Sequence, residues 1–307
     1  MRVLFLGAGK RLSLLEAFQR AAAAEDVPLQ LFAAELDATV PVAAVAEILP
    51  SPRFAAPEFG PWLLERCAQL AIDLVIPNMD AATVVLSALA PQLQELGCWA
   101  VVSQHELCVA MEDKCLAEAW FRAQDQVVPE RRGWPRILKR RRGFAARGQA
   151  VVADAAARAA FLAVQDAPED FIEQTFVPGP EYSVDAYVDR EGRLVGAMPR
   201  QRLKVLDGEV DESLSRRHAR IEAACRRLFD APGWQGPLTA QFIDGPQGPV
   251  LIEVNPRFGG GATHAIHCGL DMPRWLLRER LGLTLPALPL AWTAGSHMVR
   301  CRRDIFL

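Results

Sequence analysis

Glu253, Asn255 and Arg257 alternate with Ile252, Val254 and Pro256 along Leu251-Ile-Glu-Val-Asn-Pro-Arg-Phe-Gly-Gly-Gly261. On a strand, that alternation sends the three polar side chains out from one face. A carboxylate and an amide oxygen two positions apart are hard oxygen donors aimed at one point, a set suited to Mg²⁺ bound to phosphates. Arg257 adds a fixed cation that can stabilise a phosphoryl group in transit. Gly259, Gly260 and Gly261 allow a backbone to approach a ligand at the start of a helix, where free N–H groups favour an anion. Gln241 precedes Glu253 across the turn-forming segment Gly245-Pro-Gln-Gly248. In a hairpin the two can face each other, so Gln241 reads either as a third metal-side ligand or as a cross-strand hydrogen-bonder.

A second group of candidates comes from composition. Of the 34 basic residues only Lys10, Lys114, Lys139 and Lys204 are lysines. In a chain that uses arginine wherever a generic positive charge serves, the surviving lysines are expected where a slim ammonium does something a planar guanidinium cannot. Lys139 ends a strand-like run that enters Arg140-Arg-Arg-Gly-Phe-Ala-Ala-Arg-Gly148, and basic side chains make up about half of the stretch from Arg131 to Arg147. Two glycines and dense positive charge describe a mobile, anion-seeking loop. A solvated basic face or nucleic-acid patch is the competing reading, weakened by the near absence of interleaved aromatic residues.

These groups need elements to hold them. Residues 1 to about 100 alternate short apolar runs (Val3–Leu6, Leu29–Ala34, Ala46–Leu49, Leu74–Pro77, Trp99–Val102) with helical stretches, the pattern of a doubly wound parallel sheet. Gly7-Ala-Gly9 after the first strand lacks the third glycine of a dinucleotide fingerprint, because Leu12 occupies it, and reads as a tight strand-to-helix turn. Ligands gather beyond the carboxyl ends of parallel strands, which makes Asn78 and Asp80, just after the fourth run, substrate candidates. Asp80 could equally cap the helix that follows. A helix is expected from Met111 to about Gln124, and the pattern turns antiparallel and mixed from residue 170. Residues 211–229 are read as one helix, with Leu214, His218, Ile221, Cys225 and Leu228 on a stripe. His264 and His267 have no third metal ligand nearby and read as pocket polarity or packing.

Composition removes several classes. Thirty-four basic against 37 acidic residues leave a net charge of −3, without the basic excess of a dedicated nucleic-acid binder. No apolar run approaches the ~20 residues of a membrane span, and the first residues suit a buried strand better than a signal peptide. Seven dispersed cysteines without a C-x-x-C pair argue against both a disulfide framework and a zinc site. A cytoplasmic protein is expected, and the apolar content of the first hundred residues is compatible with a homodimer.

The run Glu253-Val-Asn-Pro-Arg257, with Glu112-Asp-Lys114, Leu138-Lys139 before the basic loop, and Gln174-Thr-Phe-Val-Pro-Gly-Pro-Glu181, resembles the ATP-grasp superfamily, in particular its carbamoyl phosphate synthetase large-subunit-like branch of small ligases. The resemblance implies an α/β and α+β chain: a Rossmann-like domain over 1–110, then a two-lobed ATP-grasp domain with a small lobe over 111–180 and a large lobe over 181–307. It implies ATP and Mg²⁺ as cofactors. Lys114 and Lys139 would contact the phosphates, Gln174 with the backbone of Phe176 and Val177 would pair with adenine, and Glu181 would hold the ribose. Gln241, Glu253 and Asn255 would bind magnesium, Arg257 would stabilise the transferring phosphate, and the stretch containing Arg200 and Lys204 would face substrate and phosphate. The implied reaction activates a small-molecule carboxylate as an acyl phosphate for attack by an amine, or less often a thiol. Bicarbonate activation of the carbamoyl-phosphate type and a non-catalytic ATP-binding module are the alternatives. Two departures stand out: the loop is poor in glycine and crowded with arginine, and glutamine replaces an acid at 174 and 241.

Overall fold

In the computed structural model, which describes residues 1–143, 148–206, 208–286 and 290–307, the first hundred residues wind a parallel sheet. Its strands are β1 (Arg2–Leu6), β2 (Gln30–Glu35), β3 (Glu47–Pro50), β4 (Leu74–Pro77) and β5 (Trp99–Ala100), in the order β3-β2-β1-β4-β5. Helices α1 (Leu12–Ala24), α2 (Phe59–Leu70) and α3 (Asp80–Glu95) connect them. The two central strands are apolar on both faces: Val3, Phe5, Leu74 and Ile76 enter one core, and Leu4, Leu6 and Val75 the other. A parallel sheet covered on both sides demands that continuous apolar character. The turn after β1 is tight, with Gly7 at φ +69°, a conformation open to glycine.

The helix expected over 111–124 is two helices, α4 (His105–Glu112) and α5 (Lys114–Ala123). Asp113 interrupts them in an extended conformation and caps α5, accepting the N–H of Cys115 at 2.9 Å. An aspartate that can satisfy free N–H groups favours ending one helix and starting another over continuing through.

A three-stranded antiparallel sheet follows, β7-β6-β8, built from β6 (Arg136–Arg140), β7 (Ala150–Val152) and β8 (Phe171–Thr175), with α6 (Ala155–Ala163) after β7. Its register sets Lys139 opposite Ile172 and Ile137 opposite Gln174. Directly paired residues share a face, so Lys139 and Gln174 leave the sheet on the same side.

The largest sheet has six strands: β9 (Glu181–Val188), β10 (Leu194–Leu206), β11 (Glu209–Ser215), β12 (Gly236–Gly245), β13 (Gly248–Asn255) and β14 (His297–Val299), in the order β13-β12-β9-β10-β11-β14. Here the reading of 211–229 as a single helix is corrected. Residues 209–215 are strand, paired antiparallel from Arg200↔Ser215 to Leu206↔Glu209, and α7 occupies only Ala219–Phe229. His218 is its cap, its Nδ1 accepting the N–H of Ile221 at 3.3 Å.

Helices α8 (Ala262–His267) and α9 (Met272–Arg280) lie between this sheet and α1, in a core that joins Phe5 and Phe18 to Tyr187, Met198, Phe258 and Trp275. Glu25 at the end of α1 binds both Arg274 and Arg278 of α9. Phe258, the residue after Arg257, is fully buried edge-on to Phe18, 6.1 Å between ring centroids. Burying that ring contributes about 2 kcal/mol and fixes the turn that carries Arg257. No helix among the described residues is long and apolar enough to cross a membrane.

Candidate active site

β12 and β13 form the expected hairpin, and Gln241 pairs directly with Glu253. Asn255 Nδ2 donates to Glu253 Oε1 at 3.2 Å, so carboxylate and amide lie side by side on one face. Gln241 is already engaged by a neighbouring side chain. Its Oε1 accepts Nη1 of Arg202 at 3.2 Å, and the same nitrogen donates to Glu181 Oε1 at 2.6 Å, while Nη2 donates to the Gly208 carbonyl at 3.2 Å. A guanidinium on the Gln241 oxygen is a like charge to any cation placed there; Asn255 Oδ1 has a longer contact of the same kind, 3.4 Å from Arg257 Nη2, so the remaining donors are Glu253 and, once released, Asn255. One carboxylate and one amide suit a magnesium ion that arrives on a nucleotide and keeps most of its ligands from phosphate and water. Among the described residues no group of three His, Cys, Asp or Glu side chains forms a self-sufficient metal cage. Glu181, expected to hold the ribose, has its carboxylate bound by Arg202.

Arg257 is clamped by a residue from the parallel sheet's fourth strand end. Its Nε and Nη2 donate to the two carboxylate oxygens of Asp80, each at 2.8 Å, and Nη1 donates to the Phe258 carbonyl at 3.0 Å. Burial disfavours the guanidinium charge, and Asp80 more than offsets it, holding the Arg257 pKa above its ordinary value. Asp80 therefore neither stands free for substrate nor caps α3 by hydrogen bonding; it is the counter-charge of Arg257. Neighbouring Asn78 is buried, and its Oδ1 has no donor among the described residues.

The glycine run has a packing reason. A Cβ at Gly261 would sit 2.7 Å from Cζ and Nη1 of Arg200, and one at Gly259 would sit 2.6 Å from Thr239 Oγ1. At Gly260 it would come 3.4 Å from Nη1 of Arg11. What approaches this backbone closely is the protein's own guanidinium and hydroxyl groups, and α8 beyond it has only six residues. Arg200 itself is 2% exposed. Its Nε donates to Asp185 Oδ2 at 2.7 Å, and Thr239 Oγ1 donates to the other oxygen, Oδ1, at 3.1 Å. Arg200 was expected to face substrate as a catalytic group. Placed beneath the glycine turn, it supports that turn from within instead of lining open space.

Lys139 faces the hairpin from the small sheet. It has no carboxylate within ion-pair distance among the described residues. Burial pushes its ammonium below the ordinary lysine value; Glu253 works against that shift, Lys114 adds to it, and Glu181 and Glu118 oppose it. Those four side chains come from three different elements, α5, β9 and β13, so the field at Lys139 locates the site. Lys114 starts α5, and its Nζ donates to the Gly143 carbonyl at 3.1 Å. Of the loop expected to close over phosphates, residues 144–147 lie outside the described residues. Its root is tied down: Arg141 Nε donates to both oxygens of Asp113, at 2.8 and 2.6 Å, and Arg142 lies 3.6 Å from the same carboxylate. Arg131 and Arg136 are likewise paired, with Glu118 and Glu173, so much of the basic run is already neutralised.

Gln174 is buried on the Lys139 face, donating to Glu118 Oε2 at 2.9 Å while its own Oε1 has no donor among the described residues. The Phe176 N–H donates to the Pro135 carbonyl at 2.9 Å. The Phe176 carbonyl and the Val177 N–H remain without backbone partners among the described residues. Lys204 does not turn towards this face as a free ammonium. It is half-exposed and pairs with Asp211 Oδ2 of the neighbouring strand at 2.8 Å. His264 is buried, with Nδ1 2.8 Å from Ser213 Oγ, consistent with packing.

Four residues around the site drew no role of their own from the sequence. Glu118 holds Gln174, and although burial opposes its ionisation, hydrogen bonds from Arg131, Gln174 and Arg122 keep its pKa below the ordinary range. Arg202 bridges Glu181 and Gln241. Arg11 and Arg300 approach the glycine turn from opposite ends of the chain, donating to the carbonyls of Gly259 (3.3 Å) and Gly260 (2.5 Å). Arg202 lay within the stretch expected to face substrate and phosphate, and Arg11 carried a local signal as a cation just after a Gly-x-Gly turn at a strand's carboxyl end.

Residues 167–300 match the family described as ATP-grasp in the biosynthetic pathway with Ter operon. Comparison with curated proteins finds no match. Among solved structures, the chain is similar to biotin carboxylase from Campylobacter jejuni in its β,γ-ATP complex, at 16% identity and a TM-score of 0.75 over 96% of this chain and 74% of that one. N5-carboxyaminoimidazole ribonucleotide synthetase from Thermus thermophilus aligns at 21% identity and a TM-score of 0.71, covering 97% and 82%. L-amino acid ligase from Bacillus licheniformis aligns at 16% identity and a TM-score of 0.67, covering 91% and 74%. The fold of this chain is the ATP-grasp fold.

Proposed function

We propose that the protein is an ATP-dependent ligase that activates a carboxylate as an acyl phosphate, with release of ADP, for attack by an amine. The observation that carries this reading is the convergence on Lys139. A partly buried ammonium without a carboxylate partner among the described residues is held opposite Glu253 and Asn255, with Lys114 beside it. An unmatched buried cation is costly, and a nucleotide triphosphate supplies the missing negative charge.

Adenine would lie at the edge of the small sheet. The Phe176 carbonyl and Val177 N–H offer one acceptor and one donor there, and the orphan Gln174 oxygen would accept from the amino group. Glu181, once exchanged from Arg202, would take the ribose hydroxyls. Glu253 and Asn255 would hold a magnesium ion carried by the nucleotide, whose chemistry is to neutralise phosphate charge. Lys139 and Lys114 would orient the triphosphate so that a substrate carboxylate oxygen attacks the γ-phosphorus in line. The bond from that phosphorus to the β,γ-bridging oxygen breaks as the new one forms. Arg257, fixed by Asp80, would stabilise charge on the group in flight. An amine then adds to the acyl carbon, loses a proton and expels phosphate. The protein contributes positioning and charge more than covalent chemistry.

The test is Mg-ATP with pooled organic carboxylates, bicarbonate in a separate arm, and hydroxylamine as the nucleophile. Hydroxamate and ADP that depend on the organic pool and vanish in Arg257→Ala support the reading. Carboxylate-independent turnover contradicts it, as does release of AMP and pyrophosphate, and turnover with bicarbonate alone moves the assignment to bicarbonate activation.

A further inference from the structure

Arg11 closes the turn after β1 and lies against the triple-glycine turn of the large sheet. Its Nη1 is 3.3 Å from the Gly259 carbonyl, and a Cβ on Gly260 would come within 3.4 Å of it. That single weak hydrogen bond to a neutral carbonyl is its only side-chain bond among the described residues. Burial lowers its pKa to about 10, the Arg257 charge contributing to the fall, Glu209 opposing it, Arg300 adding to it and Asp80 opposing it. The two acids are already engaged. Asp80 grips Arg257 with both oxygens, and Glu209 Oε2 accepts Arg300 Nη1 at 2.5 Å. Three guanidinium groups therefore face two carboxylates, and the unmatched charge belongs to Arg11.

Arg11 is half-buried, and an isolated cation withdrawn even partly from water is unfavourable unless something pairs with it. Arg11 sits at the carboxyl edge of the parallel sheet, where open α/β sheets receive ligands, and buried Asn78 at the end of β4 leaves its Oδ1 without a donor on that edge. Glu253, the metal-side carboxylate, is among the charges acting most strongly on Arg257 and Lys139 but not among those acting most strongly on Arg11. Arg11 touches the turn beyond Arg257, at the Gly259 carbonyl, whereas Arg257 touches Asp80 and Asn255, the neighbour of Glu253 on the metal side.

We infer that Arg11 is a specificity-determining residue that binds a second, non-reacting anionic group of the substrate, so that the carboxylate activated here belongs to a dicarboxylate or a phosphorylated carboxylate. This rests on the ligase reading above. A guanidinium offers a planar pair of donors to either anion; the fixed distance between Arg11 and Arg257 then selects substrates by the separation of their two anionic groups.

Calorimetric titration in the presence of Mg²⁺ and a non-hydrolysable ATP analogue tests the inference with succinate, glutarate, 3-phosphoglycerate and the monoanion butyrate. At least one dianion is expected to bind tenfold or more tightly than butyrate; which one distinguishes carboxylate from phosphate as the anchored group. Arg11→Gln should erase that preference while the affinity for the ATP analogue stays within twofold, and Arg11→Lys should restore part of it. Dianions that bind no better than butyrate would overturn the inference, and so would a preference that survives in Arg11→Gln. Failure of the ATP analogue to bind the wild-type protein would instead strike the ligase reading, and the two failures are told apart in the same experiment.

Discussion

Replacing Asp80 by Asn removes a charge and keeps the shape, which isolates the ion pair that fastens the parallel sheet to the Arg257 turn. The pair is bidentate at 2.8 Å, with side chains 28% and 14% exposed. Fully exposed pairs contribute about 0–1 kcal/mol, whereas removing one partner of a fully buried pair costs about 3–5 kcal/mol. Partial burial on both sides places the cost of Asp80→Asn between those limits, at about 2 kcal/mol, most of it from leaving the guanidinium uncompensated. Arg257→Gln should cost less, because the carboxylate it leaves behind reaches water more easily. A double-mutant cycle from urea unfolding, followed by tryptophan fluorescence, isolates the pairwise interaction. A coupling energy of about 1.5–2 kcal/mol is expected, within the range found for groups in direct contact. A value below about 0.5 kcal/mol, the level at which independent sites simply add, would refute the reasoning. Arg257 would then draw its stability from the Phe258 carbonyl, Asn255 and packing, with Asp80 a bystander.

Three further outcomes follow from the same geometry. Gly261→Ala forces a Cβ to within 2.7 Å of the pinned Arg200 guanidinium and 2.8 Å of Val210 Cγ1, and overpacking there should destabilise by about 1–3 kcal/mol, read as a lowered Tm. Lys139→Met removes a buried cation that burial already disfavours, so the Tm of the unliganded protein should stay level or rise while Mg-ATP affinity falls tenfold or more by calorimetry. His264 is pushed down to about 4 by burial and then by the Arg200 charge. Because the unfolded imidazole takes its proton near pH 6.5 and the folded one only near 4, stability present above pH 6.5 is lost as pH falls through that window. The loss amounts to about 3 kcal/mol by pH 4. Denaturant titrations at pH 7 and pH 4 should show a correspondingly smaller loss in His264→Gln.

What the sequence reveals here is whatever repeats within a few residues. Continuous apolar runs between helical stretches identify the parallel sheet, and the i, i+2 spacing of Glu253, Asn255 and Arg257 identifies one face of a strand without any knowledge of its neighbours. Partnerships between distant segments leave no such trace. Asp80 and Arg257 are far apart in the chain, and nothing around Asp80 distinguishes a counter-charge from a helix cap. Leu214 fell on the apolar stripe of Ala219–Phe229 by coincidence of spacing; only pairing with β10 makes it strand, and that pairing also gives Lys204 its partner Asp211. The glycines at 259–261 advertise close approach correctly, but whether a ligand or the protein's own Arg200 approaches is decided by the buried Asp185 that holds Arg200 there.

The most direct measurement uses a carboxylate that supports turnover, labelled with ¹⁸O in its carboxyl group, followed by mass analysis of the released phosphate. Attack on the γ-phosphorus, acyl phosphate formation and displacement by an amine predict one ¹⁸O atom in phosphate and none in the nucleotide. Label in AMP, or unlabelled phosphate, would contradict activation of the carboxylate as an acyl phosphate.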